Sequence, residues 1–261
     1  MPPASSATAP QPGDSYVQSF ARGLEVIRSF SPQSPVQTLS EVAARTGLTR
    51  AGARRILLTL QTLGYVESDG KHFRLTARIL DLGFAYLSSL PIWNLAEPMM
   101  EALVDEVKES SSAAVLEGTD IVYVLRVPTH KIMSIGLGVG SRLPAYCTSM
   151  GRVLLAGLDD EEVLRRLKAA RPKALTKHTV TDVDTLLSKV QQVRRQGWSL
   201  VNQELEEGLI SLAAPITDRS GRIIAALNLS GQANRTNTKV AQETLLPALQ
   251  RAARAISQRL G

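Results

Sequence analysis

Three arginines stand in the run TRAGARRILLTL, at positions 50, 54 and 55. At about 100° per residue, a helix through this run gathers Ala53, Ile56, Leu57, Leu60 and Leu63 on one side. Arg54, Arg55, Ala51 and Thr62 fall on the opposite arc, with Arg50 at its margin. The front half of the open arc is thus basic and short-sided. A guanidinium can grip guanine O6 and N7 with two hydrogen bonds, and a small side chain such as Ala51 lets the helix backbone approach a base edge. Thr49, just before the helix, and the free amides of the first turn suit a phosphate. Lys71 and His72, a short way downstream, are placed to reach an adjacent phosphate or the minor groove. The plain alternative is a charged, solvated helix face.

A second polar set lies far from the first. In RLPAYCTSMGRVLLA small polar residues directly precede an apolar helix, so the amides near Ser149 and Met150 form a natural carboxylate site. Simple capping by Thr148 or Ser149 is the competing account. In ALNLSG, Asn228 and Ser230 alternate with leucines and so share one face of a strand. Buried polar groups are costly without partners. These two either bond backbone or water, or line a polar pocket with Asn202 and Ser211 from neighbouring strands.

Enzyme signatures are weak. His72, His130 and His178 occupy unrelated segments without metal-ligand spacing. Cys147 is the lone cysteine and has no histidine near it in sequence. GLGVG (Gly136 to Gly140) lacks the strand-to-helix setting of a dinucleotide loop, since Arg142, Leu143 and Pro144 follow it. Ser149 in TSMG is not in a nucleophile elbow. No cofactor and no metal are expected.

The elements that must position these residues read as follows. An amphipathic helix over Ser15 to Phe30, with Phe20, Leu24, Ile27 and Phe30 at helical spacing, is broken by SPQSP. Ser40 caps a short helix ending at Thr46 and Gly47, and Thr49 caps the arginine helix, which runs to about Leu63 before Gly64 stops it. YVESDGKHFRL then makes two strands around Ser68, Asp69 and Gly70, a hairpin signal. Two helices at a tight turn followed by a hairpin constitute a winged helix-turn-helix. Thr76 to Ser88 forms another amphipathic helix, placed either to pack back on its own domain or to pair with a second copy of itself.

After Pro91 the pattern changes. Leu95 to Val107 is helical, and Ser112 to Val127 gives two strands joined around Gly118, Thr119 and Asp120. IMSIGLGVG reads as a further strand running into a turn. Helices follow at Ser149 to Ala156, Asp159 to Ala169 and Asp182 to Gln196, the last ended by Gly197. WSLVNQ, ISLAAPI and IIAALNLSG are strands, the last two joined by a turn from Asp218 to Gly221, and a long helix over Thr238 to Leu260 closes the chain. The fold class is α+β, an antiparallel sheet with flanking helices behind a winged helix. The divisions are a disordered tail at 1–14, the winged helix-turn-helix at 15–75, a linker helix at 76–90 and a larger domain at 91–261.

The bulk numbers agree with this. The 261 residues suffice for one or two domains, and 44% hydrophobic with 21% charged residues is ordinary for a globular protein. The net charge of +6 is concentrated between residues 41 and 80, where Glu41, Glu67 and Asp69 face seven lysines and arginines. A single cysteine fits a reducing compartment, and the N-terminus lacks the features of a signal peptide. No run approaches a membrane span, so a cytoplasmic protein with no membrane partner is expected.

With the winged helix, the linker and the TSMGR segment in view, the chain resembles IclR-family transcriptional regulators from about Tyr16 to Gly261. The resemblance is carried by GLEVIRSF, LSEVAARTGLTRAGARRILLTL, LGYV, LPAYCTSMGRVLLA, GWSLVNQELEEGLISLAAPI and ALNLSG. TRAGARRILLTL and RLPAYCTSMGRVLLA look most like the regulators of protocatechuate and 4-hydroxybenzoate catabolism, the β-ketoadipate-pathway group. The resemblance implies double-stranded operator DNA as partner and a homodimer or dimer of dimers joined through the linker helix. It also implies a GAF-like C-terminal domain holding a small carboxylate effector: protocatechuate, 4-hydroxybenzoate or β-ketoadipate. It assigns the effector to Ser149, Met150, Ser211, Asn228 and Ser230. The acidic pocket position of relatives falls near Val201 and Asn202, where this chain has no carboxylate. The rival from the residues alone is an enzyme acting on an aromatic or keto acid, its winged helix used for oligomerisation.

Overall fold

Phe20 and Leu24, spaced for the buried side of a first helix, stay 69% and 43% exposed, and Val26 is the residue that α1 (Gln18–Ser29) buries completely. The computed structural model describes Gly13 and residues 16–88, 92–129 and 137–260, and divides into two units, Met1–Ser88 and Ser89–Gly261. The tail at 1–14, apart from Gly13, and the helix start at Ser15 lie outside the described residues.

In the first unit a strand absent from the sequence reading, β1 (Val36–Thr38), runs into α2 (Leu39–Thr46). The cap is Thr38, not Ser40. Its hydroxyl accepts from the Glu41 N–H while the Glu41 carboxylate accepts from the Thr38 N–H at 2.7 Å. Such a reciprocal box needs Glu or Gln three residues after the cap. Thr38 with Glu41 meets that requirement, and Ser40 with Ala43 does not. Gly47 then takes a φ of 65°, a left-handed conformation that ends α2 and turns the chain. Thr49 caps α3 (Arg50–Thr62) by accepting from the Gly52 N–H at 3.1 Å. Strands β2 (Val66–Ser68) and β3 (His72–Leu75) form the hairpin, and β1 adds to it in the antiparallel order β1-β3-β2. Val26, Val42, Ala43, Ala53, Leu57, Leu60, Val66 and Phe73 make the core. A 3-10 turn (Ala77–Ile79) and α4 (Leu80–Ser88) complete the unit.

The second unit is built on one six-stranded antiparallel sheet. Helix α5 (Ile92–Val107) precedes β4 (Ser110–Glu117), β5 (Asp120–Val127) and a short β6 (Arg142–Pro144). A 3-10 turn (Ala145–Cys147) then leads into α6 (Ser149–Ala156), followed by α7 (Asp160–Ala170) and α8 (Val183–Gln196). Strands β7 (Ser199–Asn202), β8 (Leu209–Thr217) and β9 (Ile223–Gln232) complete the order β6-β5-β4-β9-β8-β7. Of the expected strand IMSIGLGVG, residues 132–136 lie outside the described residues, and 137–140 form a turn. The closing helix is not continuous. A short α9 (Thr238–Val240) passes through a π-turn (Ala241–Leu245) into α10 (Leu246–Arg259), where Pro247 lacks the N–H that an α-helical bond to residue 243 needs.

Both faces of the sheet are covered, which is why its central strands read as nearly unbroken apolar runs. Along β8, Ser211 and Ala213 face α6, while Ile210, Leu212, Ala214 and Ile216 are buried on the other face, where α10 packs. Every residue of α6 is buried, so polar groups near its start are removed from bulk water.

Candidate functional site

The open arc of α3 carries its cations free. Thr49, Arg50, Ala51, Arg54 and Arg55 are exposed, while Ala53, Leu57 and Leu60 hold the helix to the core. Among the described residues no carboxylate pairs with Arg50, Arg54 or Arg55. Two other basic groups of the unit are engaged, Arg74 with Glu67 at 2.5 Å and Arg45 with the Ser34 hydroxyl. Unpaired guanidiniums on one helix face keep their full charge for a polyanion.

Two expectations here need correction. Leu63 is 51% exposed, because α3 ends at Thr62 and Leu63 stands beyond its last regular turn. At the hairpin tip, Lys71 is exposed and without a partner, but the His72 ring bonds Asp69 at 3.1 Å. The amides of His72 and Lys71 both donate to the Asp69 carboxylate, which holds it well below the usual carboxylate range. Asp69 thus rigidifies the tip and leaves Lys71 as its free cation.

In the second unit, Ser149, Met150, Ser211, Asn228 and Ser230 line one cavity. A chain of contacts joins the polar members. The Ser149 and Ser211 hydroxyl oxygens are 2.8 Å apart, and Asn228 Nδ2 donates to Ser230 Oγ at 2.9 Å and to Ser211 Oγ at 3.2 Å. Asn228 Oδ1 accepts the backbone N–H of Ser112 at 2.8 Å, which fixes the orientation of its amide. Asn228 therefore both bonds the backbone and lines the pocket. Ser211 Oγ also lies 3.2 Å from Ser230 Oγ and from the Leu229 carbonyl. A hydroxyl donates once and accepts at most twice. Ser211 cannot satisfy all four neighbours, so at least one polar group of this set is left for a guest.

Asn202 is not brought to this cavity. The alternation of β7 turns Val201 inward, 4% exposed and opposite Ser211, and leaves Asn202 in solvent. Thr148, which accepts from the Gly151 N–H at 3.2 Å and donates to the Pro144 carbonyl, is the cap of α6. The amides of Ser149 and Met150 take no acceptor among the described residues. Capping by Thr148 thus leaves these two amides free.

Several lining residues escaped the sequence reading: Tyr123, Arg126, Leu137, Cys147, Leu205 and Leu209. Tyr123 is 4% exposed, and burial pushes its phenol up to about 12, so it stays a neutral donor. Neither its hydroxyl nor Arg126 has a hydrogen-bond partner among the described residues. The motif YVLRV carries the signal, since Tyr123 and Arg126 break an otherwise apolar strand end. Burial raises the Cys147 thiol to about 12, which makes it a packed wall and not a nucleophile. The cavity volume is about 30 Å³, about one water's space, so an organic acid enters only as the walls part. No Asp or Glu lines it. Among the described residues no group of His, Cys, Asp or Glu is placed to hold a metal, and no helix is long and apolar enough to cross a membrane. His130 and Gly136 lie outside the described residues.

Residues 19–70 match the family described as the IclR helix-turn-helix domain, and residues 84–258 match the bacterial transcriptional regulator IclR C-terminal family. The chain is 44% identical to the Pca regulon regulatory protein of Pseudomonas putida over 94% of this chain and 84% of that one. It is 35% identical to the p-hydroxybenzoate hydroxylase transcriptional activator of Acinetobacter baylyi, covering 92% of this chain and 90% of that one. Among solved structures it is similar to an IclR homologue of Microbacterium hydrocarbonoxydans complexed with 4-hydroxybenzoate. That similarity has a TM-score of 0.82 and 26% identity, over 93% of this chain and 99% of the other.

Proposed function

The chain belongs to the IclR family of bacterial DNA-binding transcriptional regulators, and we propose that it controls aromatic-acid catabolic genes of the β-ketoadipate pathway in response to a small carboxylate effector. The rival reading as an enzyme falls, since the family and the named relatives are regulators. Operator contact is assigned to Thr49, Arg50, Ala51, Arg54, Arg55 and Lys71. Effector contact is assigned to the cavity of Ser149, Met150, Ser211, Asn228 and Ser230, with Tyr123 and Arg126 added.

The observation that carries this is a cavity lined by a cation, a buried phenol and a chain of neutral polar groups, and by no carboxylate. The Arg126 guanidinium, the Tyr123 hydroxyl and the free amides of Ser149 and Met150 all favour a carboxylate. The serine and asparagine chain offers both donors and acceptors, which suits a phenol or a keto oxygen. Protocatechuate, 4-hydroxybenzoate and β-ketoadipate each present that pair of groups. The lack of a lining carboxylate also leaves a dianion such as β-ketoadipate unopposed by like charge.

A homodimer or dimer of dimers fits the first unit's surface. Phe20 and Leu24 on α1 and Leu80, Leu82, Phe84 and Tyr86 on α4 are all more than 40% exposed. Apolar surface of that extent marks an interaction face. Residues 76–90 would serve as the linker through which two copies pair, and the dimer would space two copies of α3 along the operator. Each of the three acids, added in turn to the purified protein, is tested by thermal unfolding. At a hundredfold excess over Kd a true effector stabilises by about 2.7 kcal/mol, or roughly 5–11 °C for a domain of this size. If none of the three raises Tm, the effector assignment is wrong.

A further inference from the structure

Arg152 and Glu204 form an ion pair whose side chains are only 3% and 9% exposed, and no operator or effector contact uses either of them. Arg152 donates to the two Glu204 carboxylate oxygens at 2.8 and 2.6 Å and, through Nε, to the Tyr146 carbonyl at 3.1 Å. Glu204 Oε2 also accepts the Val180 N–H at 3.2 Å. The Thr179 hydroxyl donates to the Glu204 carbonyl, and the Thr176 hydroxyl to the Gln203 carbonyl, both at 2.6 Å. Tyr146 is itself tied to Lys173, whose carbonyl accepts its hydroxyl proton at 2.9 Å. One guanidinium therefore fastens the turn before α6 to the β7–β8 loop, and that loop to the segment 173–180.

Both fastened pieces are cavity wall. Cys147, Thr148, Ser149 and Met150 lie just ahead of Arg152, and Leu205 directly follows Glu204. The loop bearing Leu205 is also tied at its ends, where the Gln203 N–H bonds the Leu209 carbonyl at 2.7 Å, the Gly208 N–H bonds Gln203 Oε1 at 2.9 Å and the Gly208 carbonyl accepts the Ala233 N–H at 2.8 Å. Leu205 itself packs against the core cluster that contains α6. A buried ion pair is poor evidence for stability, because apolar residues of similar volume commonly do as well. What two parallel bonds in one plane add is a fixed distance and angle between their elements.

We infer that Arg152 and Glu204 are positioning residues, which set the gap between the α6 N-terminus and Leu205 and so hold the effector cavity closed and in shape. This rests on the cavity's being the effector site, and two separate readouts test it. The full chain is made as wild type, as the double variant Arg152→Met with Glu204→Leu, and as Arg152→Lys, which keeps the charge but loses the two-point grip. The first readout, taken without any acid, is the rate at which Cys147 is alkylated in the native protein at fixed pH. The second is the Kd for the acids named above.

The double variant is expected to keep a Tm close to wild type while Cys147 alkylation rises about tenfold or more as the walls open locally. Acid binding weakens by about tenfold, as when supporting groups around a bound ligand are removed. Arg152→Lys, a second and independent variant that keeps a cation beside Glu204, moves both readouts in the same direction by less. Unchanged Cys147 protection in folded variants overturns the inference, whatever the acids do. Faster alkylation in the variants, with a wild type that binds none of the acids, upholds the positioning role and defeats the effector assignment alone.

Discussion

Gly151→Ala offers a prediction whose size can be worked from contacts. In most helices the change is favourable by about 1 kcal/mol, through backbone entropy and propensity. Here a Cβ built on Gly151 would lie 2.2 Å from the Ala145 carbonyl oxygen, 2.4 Å from its Cα and 2.6 Å from its carbonyl carbon. All three atoms are backbone, so no side chain can swing aside. To restore ordinary contact near 3.4 Å, α6 or the turn must retreat by roughly 1 Å. Overpacking of that kind costs about 1–3 kcal/mol, and a backbone obstacle places this site in the upper part of that range. Set against the propensity gain, the net loss is about 1–2 kcal/mol, or a Tm lower by roughly 2–8 °C. Gly23→Ala in α1, where the new Cβ meets nothing within 4 Å, should instead stabilise by up to about 1 kcal/mol. Thermal unfolding of both variants beside wild type makes the comparison. If Gly151→Ala proves as stable as wild type, α6 does not rest on the Ala145 backbone, and the packing that places Ser149 and Met150 is misdescribed.

Further consequences follow from single groups. Arg54→Ala or Arg55→Ala should weaken binding to a preferred DNA duplex by about 1–3 kcal/mol and relax preference at one base pair. An equal loss on every sequence would assign that arginine to phosphate. Thr38→Ala removes the hydroxyl of the α2 capping box and should cost about 1 kcal/mol, read as a lower unfolding transition of the first unit. Cys147, with its thiol pushed up to about 12, is neutral throughout pH 7–9. Its reaction with a thiol reagent at pH 8 should be slow until denaturant is added, and a fast native reaction would contradict the burial.

The elements legible in the sequence are those whose ends carry their own chemistry. Thr49, Asp159 and Asp182 each cap the helix they precede, and Gly47 and Gly197 end theirs in left-handed turns at φ 65° and 78°. β1 was not legible, because three residues carry no period and its pairing with β3 is a long-range fact. Within the cavity, Asn228 and Ser230 could be read because a polar pair on a buried strand demands partners. The choice between Val201 and Asn202 could not, since it depends on which face of β7 meets β8, and a slip of one residue reverses it. Arg126 and Tyr123 passed unnoticed for a related reason. They come from β5, which β4 and β9 separate from β8, and only the folded sheet brings them to the start of α6.

The central claim is that DNA binding by α3 answers to an acid held beside α6. It is tested most directly on a duplex that the protein itself selects from a random pool, at fixed salt, with and without protocatechuate, 4-hydroxybenzoate or β-ketoadipate. Wild type and Arg126→Ala are compared. The account predicts that both bind the duplex alike without acid, and that one acid changes the affinity or footprint of wild type. Arg126→Ala should need about 10- to 100-fold more of it, the worth of a charge-assisted hydrogen bond. No response of wild type to any of the acids, or a response of Arg126→Ala at the wild-type concentration, would contradict it.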